Sequence, residues 1–137
     1  MIYLLDTNAC IQLINNKHPV ILEHFRQHSP ADIALCSVVK AELLFGAQRS
    51  GRIEANLQRL KLFFEPLQSL PFDDDCADYY ARIRADLDAQ GKLIGGNDLL
   101  ISAIALSHNA TLVTHNTGEF KRVMGLRLED WEIEPTH

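Results

Sequence analysis

A chain of 137 residues with 47% hydrophobic content is long enough to bury one core and too short for two, which excludes a multidomain assembly and a disordered polymer. A formal net charge of −5 excludes a protein that holds nucleic acid over a wholly basic surface, though not a nuclease, whose metal pocket gathers carboxylates while a local basic strip tracks phosphates. No apolar run approaches the roughly 18 residues of a membrane helix, the N-terminus lacks a signal peptide's basic start, and Cys10, Cys36 and Cys76 sit among apolar neighbours, which predicts one cytoplasmic domain over residues 1–137 without disulfides or structural zinc.

The first element, Ile2 to Leu5, is a short continuous apolar run, the pattern of a strand buried on both faces in a parallel sheet. Ligand crevices of such sheets lie beyond the carboxyl ends of the strands, so Asp6, Thr7 and Asn8 stand where α/β chemistry usually happens. Taken alone, Asp6 is better read as the cap of the next helix, and further isolated acids in similar places downstream are what raise the functional reading. Residues 7 to 15 read as that helix, closed by Asn15 and Asn16, and Pro19 opens a second to about His28. His24 and His28 share a face at helical spacing but have no evident third ligand, so they read as solvent-facing histidines rather than a zinc site. Ile33 to Cys36 is a second buried run, with Ser37 as cap for a helix carrying Val38, Val39, Leu43, Leu44 and Ala47. Glu42 falls inside that helix and either lies on its wet face or points toward the crevice beyond Asp6, where its charge needs a cation or a donor.

Gly51 separates this helix from the next, whose Ile53, Leu57, Leu60 and Phe64 recur at helical spacing, and the pair reads as a helical hairpin. Lys40, Arg49, Arg52, Arg59 and Lys61 face only Glu42 and Glu54 over this span and make it the candidate basic patch. Pro66 ends the hairpin, Leu67 to Leu70 is a short strand, and a helix with Cys76, Tyr80, Ile83 and Leu87 follows, its Asp73, Asp74 and Asp75 serving as capping and dipole residues. Residues 91 to 97 form a loop, with Asn97 capping a helix from Asp98 to about Leu106 that is apolar nearly all round and therefore buried. Asp98 in its first turn is held ionised by the helix dipole, which serves stability or a metal equally. Thr111 to Val113 makes the next strand, ending at Thr114 in a polar run from His115 to Glu119; Leu126 to Leu128 is the final strand and 135–137 a frayed tail.

Asp6 and Thr114 to Asn116 thus close two strands, Asp98 opens a buried helix, and Glu42 and Glu119 lie on flanking elements, so all can converge at one end of a parallel sheet. Carboxylates gathered this way take up protons unless a divalent cation sits among them, and oxygen donors select magnesium or manganese over zinc. Such a site suits phosphate chemistry.

Four segments, "LLDTN", "AELLFGA", "IGGNDLLISA" and "TLVTHNTGEFKRVMGLRLEDW", resemble in order and separation the PIN-domain ribonucleases, and specifically VapC-type toxins of toxin–antitoxin systems. The resemblance implies a three-layer α/β/α domain with a central parallel sheet and a magnesium- or manganese-dependent endoribonuclease. Asp6, Glu42 and Asp98 match the family's acidic positions, with Asp6 and Asp98 as principal metal ligands and Glu42 completing the pocket. At the fourth acidic position stands Asn116, and Glu119 matches the acid before the phenylalanine, so the fourth role stays open between them. Thr7 and Thr114 are placed to orient these groups, and Arg49 and Arg52 to meet RNA or antitoxin. The resemblance further implies a homodimer, a VapB-type antitoxin whose tail blocks the pocket, and cleavage that leaves a 5′-phosphate and a 3′-hydroxyl. The "NDLLI" and "HNTGEF…GLRLEDW" segments look most like the group that cuts initiator tRNA in its anticodon loop. Three rival readings remain. A haloacid-dehalogenase-like phosphatase needs a second acid where Asn8 stands, a receiver-type signalling module needs an aspartate where Cys36 and Ser37 stand, and an inactive interaction domain needs no site at all.

Overall fold

A computed structural model describes residues 1–134; the expected tail at 135–137 lies outside the described residues. Among the described residues, the strands β1 (Tyr3–Leu5), β2 (Ile33–Cys36), β3 (Gln68–Leu70), β4 (Thr111–Val113) and β5 (Leu128–Glu129) form one sheet in the order β3-β2-β1-β4-β5. Every pairing is parallel, with Leu4 opposite Ala34 on one side and Leu112 on the other. The helices are α1 (Thr7–Asn15), α2 (Pro19–Arg26), α3 (Ser37–Gln48), α4 (Ile53–Phe64), α5 (Asp74–Ala89), α6 (Gly96–Ser107) and α7 (Thr117–Phe120). They flank the sheet in the expected three-layer α/β/α arrangement, with α5 packed on α6, and α3 on α1 and α4.

The apolar run of β1 is central because it is covered on both faces: Leu4 and Leu5 are fully buried, as is all of β2. The chain builds outward from β1 to β2 and β3, then returns to place β4 on the other side of β1. Strand order therefore reverses between β1 and β4, and the crevice of an open parallel sheet lies at the carboxyl ends of such a pair. Asp6 and Thr114 occupy those two ends.

Local chemistry explains most boundaries and the departures from expectation. Asp6 and Asp73 cap α1 and α5 by accepting from the backbone N–H groups of Ala9 and Cys76, at 2.8 and 3.0 Å. Asn16 ends α1 in the left-handed region at φ 55°, and Pro19 opens α2. Ser37 is the first residue of α3 rather than its cap; the cap position belongs to Cys36, whose side chain is buried and makes no capping bond. Nor does Asn97 cap α6. That helix starts at Gly96 with Gly95 before it and no side-chain cap.

The 3₁₀ turn Pro30–Asp32 and the helix α7 are additional elements, and β5 begins at Leu128, after a turn through Gly125 at φ +81°, rather than at Leu126. His24 and His28 are half-buried rather than solvent-facing. Both rings stack on Trp131, each 6° from coplanar with the indole and with centroids 5.9 and 4.9 Å away. A fully buried indole needs cover on its face, and the two imidazoles supply it. Cys10, Cys36 and Cys76 are free and buried as expected, and loss of hydration pushes the Cys36 thiol up to about 11. Among the described residues no helix is long and apolar enough to cross a membrane.

Candidate active site

Five segments deliver side chains to one small cavity of about 130 Å³ at the β1/β4 switch point. From the end of β1 comes Asp6, 6% exposed, and from the start of α1 comes Thr7. Glu42 projects from the second turn of α3, Asp98 from the first turn of α6, and Asn116 from the loop after β4, while Ile101 and Phe120 close the cavity with apolar surface. Capping and crevice placement, the two readings of Asp6, are both correct. One carboxylate oxygen, Oδ1, is held by Ala9 N–H at the switch point.

The hydrogen bonds around the cavity fix these groups in chain-distant pairs. Thr7 Oγ1 donates to Glu42 Oε1 at 2.9 Å, which settles the orientation of Glu42 toward the crevice rather than the wet face. Thr114 is buried and accepts from Asn116 N–H at 3.0 Å through its hydroxyl, which also acts on the Asp6 carboxylate to lower it. Asn116 Nδ2 donates to Glu119 Oε2 at 2.7 Å, and Glu119 Oε1 accepts from Gly95 N–H at 3.0 Å. Glu119 thus stands behind Asn116 and clamps the α6 entry loop to α7, while Asn116 itself lines the cavity. A Cβ at Gly95 would lie in ordinary contact, 3.4 Å from Asp98 Oδ2 and 4.0 Å from Glu119 Oε1, which places this loop directly against both acids.

Carboxylates this close shift one another. Burial, then the charges of Glu119, Glu42 and Asp6, push Asp98 up to about 6. Burial also raises Asp6, opposed by its bonds from Thr114 and Ala9 and assisted by the charges of Glu132 and Glu42. Glu119 moves the other way, lowered by the Gly95 N–H and the Asn116 amide. An all-oxygen donor set in which Asp6 and Asp98 both resist ionisation fits a hard divalent cation, which would relieve the repulsion that helps to raise Asp98.

Arg49 and Arg52 are exposed at the α3–α4 turn and do not reach the cavity; Arg49 lies over the Phe45 ring at 5.4 Å. Arg59 reaches back to the Ile14 carbonyl at 3.0 Å and borders an apolar groove that shares Thr7 and Glu42 with the acidic cavity. Ile101 and Phe120 escaped the sequence reading as walls of the cavity, whereas the Gly95–Gly96 pair before Asp98 was read as letting the chain come close to what lies opposite, and Gly95 N–H indeed meets Glu119.

The PIN domain family profile matches residues 3–126. Ribonuclease VapC2 of Rickettsia felis is 43% identical over 136 residues, covering 96% of this chain and 99% of the relative. The tRNA(fMet)-specific endonuclease VapC of Shigella flexneri is 39% identical, covering 94% and 97%. The crystal structure of DNA-bound VapBC from Salmonella typhimurium contains a chain that superposes with a TM-score of 0.90 at 36% identity, covering 96% of this chain and 98% of that one. The chain belongs to the PIN-domain family and, within it, to the VapC group. This membership removes the phosphatase and receiver readings, in keeping with Asn8, an exposed amide in the first turn of α1 where the phosphatase needs an acid.

Proposed function

We propose that this chain, a single domain over residues 1–137 acting in the cytoplasm, is the toxin of a toxin–antitoxin pair and a magnesium- or manganese-dependent endoribonuclease. One observation carries the reading: Asp6, Glu42, Asp98 and Asn116, from four separate elements, line one cavity at the sheet's switch point. Asp6 and Asp98 are the metal ligands and Glu42 completes the negative charge. When bound, the ion supplies Lewis acidity that lowers the pKa of a water and stabilises the departing oxygen of a phosphodiester. The chain's own groups do the positioning. Thr7 holds Glu42 with one oxygen free to accept a proton, Thr114 orients Asp6, and Glu119 turns the Asn116 amide so that its oxygen remains as an acceptor. Hydrolysis breaks a P–O bond without using the 2′-hydroxyl and leaves a 5′-phosphate and a 3′-hydroxyl.

The partners follow from the same site. A VapB-type antitoxin inhibits by setting a basic side chain against the carboxylates, a charge-assisted contact available because the pocket holds excess negative charge. Two copies of the chain form a homodimer, and Arg49 and Arg52 contact RNA or antitoxin. The tRNA(fMet)-specific relative at 39% identity supports tRNA as the substrate class, with the initiator tRNA anticodon loop as the first target to test. Antitoxin-free protein is incubated with total bacterial tRNA in magnesium, manganese or chelator, and fragment ends are mapped. Discrete metal-dependent cuts bearing 5′-phosphates, absent for Asp6→Asn, are expected. Failure of the folded protein to cut tRNA or other cellular RNA with either metal overturns the proposal.

A further inference from the structure

Beside the acidic cavity, the end of β4 and the segment after β5 assemble a second group of side chains of different chemistry. His115 Nδ1 lies 2.9 Å from Asp130 Oδ2 and 4.0 Å from Glu132 Oε2. One donor atom from each of these residues lies within 4.8 Å of the other two. Donors bound to a common ion at roughly 2.0–2.2 Å stand roughly 3–3.5 Å apart, so rotamer adjustment, with release to solvent of the proton between His115 Nδ1 and Asp130, closes the set.

The two acids are held in place before any ion arrives. They flank Trp131, whose indole is buried beneath the His24 and His28 rings and donates to Glu129 Oε1 at 3.0 Å, so the backbone that carries them is anchored. Asp130 Oδ1 accepts from Glu132 N–H at 2.9 Å, leaving Oδ2 toward His115. Glu132 faces His18, whose Nε2 lies 3.6 Å from Oε1, while the Nδ1 of His18 accepts from Ile21 N–H at 3.3 Å.

We propose that His115, Asp130 and Glu132 form a second cation site, separate from the acidic cavity, which takes a borderline divalent ion of the zinc class. One imidazole nitrogen and two carboxylate oxygens favour such an ion over magnesium, the reverse of the all-oxygen cavity. Three protein donors leave coordination positions for water, and the ion ties the segment at 130–132 to the end of β4, next to Asp6.

The test titrates untagged, metal-free full-length chain with Zn²⁺ against a chromogenic chelator in excess Mg²⁺, and follows the His115 ring by NMR in parallel. His115 is exposed, so His115→Ala leaves the core intact, and circular dichroism verifies that each variant is folded. Wild type is expected to bind one Zn²⁺ that His115→Ala does not, with the His115 ring resonances shifted on binding. Glu132→Gln should weaken it at least about tenfold, and Asp98→Asn should retain it. Equal Zn²⁺ affinity in wild type and His115→Ala, an unshifted His115 ring, or loss of the ion in Asp98→Asn overturns the proposal.

Discussion

Replacing Asp98 by asparagine separates the cost of the acidic cavity from its use. Asp98 titrates at about 6 in the folded chain against 3.8 without its neighbours, because burial and the charges of Glu119, Glu42 and Asp6 oppose ionisation. The folded state therefore binds more protons than the unfolded state between these values. Stability falls as pH rises through that window, and the loss is fully present above the folded value. The shift corresponds to about 3 kcal/mol unscreened, and half-exposure of the side chain reduces it to about 1–2 kcal/mol. In chelator at pH 7.5, Asp98→Asn is thus expected to be more stable than wild type by about 1–2 kcal/mol, with the gap closing toward pH 4. Magnesium should stabilise wild type and leave the variant nearly unmoved, while the variant loses RNA cleavage. Urea titrations followed by circular dichroism, at both pH values with chelator or magnesium, measure all of this. A variant less stable than wild type at pH 7.5 in chelator, or a gap that persists at low pH, would refute the account of the cavity as mutually repelling carboxylates.

Asp6→Asn preserves an N-cap acceptor for Ala9, so its unfolding midpoint should stay close to that of wild type while cleavage drops below detection in an end-mapping assay. Thr7→Val removes the donor that orients Glu42 and should lower kcat at least about tenfold, with little change in KM for RNA, in steady-state cleavage of a tRNA substrate. Glu119→Ala releases both the Gly95 N–H and the Asn116 amide; a reduced turnover that extra magnesium does not restore would identify it as a positioning residue, whereas rescue by magnesium would make it a ligand. Trp131→Ala removes the fully buried indole under two stacked imidazoles and should cost about 3–5 kcal/mol in urea unfolding.

Much of the fold was legible because its signals are local. The apolar runs at Tyr3–Leu5, Ile33–Cys36 and Thr111–Val113 are continuous where a parallel sheet is covered on both faces, and α6 is apolar all round because it is buried. Asp6 and Asp98 could be picked out as isolated acids at the end of a strand and the start of a helix, and the four family segments carried Glu42 with them. Helix starts were harder to read. Ser37 and Asn97 are good caps by residue type, yet the chain entered α3 one residue earlier and α6 two residues earlier, because strand burial fixed Cys36 and the contact with Glu119 fixed Gly95.

What only the tertiary structure decided is which groups meet. Sequence left Asn116 and Glu119 as alternatives, and their placement differs in three dimensions, with Asn116 on the cavity wall and Glu119 bonded behind it to a glycine twenty-four residues earlier in the chain. The histidines that sequence left in solvent became cover for Trp131, and His115 met Asp130 across the loop between β4 and β5. Periodicity and residue type report how each segment meets water, which is a property of neighbours in the chain. Hydrogen-bond partners and mutual pKa shifts depend on distances of a few ångströms between remote segments, and those exist only once the sheet has set its order.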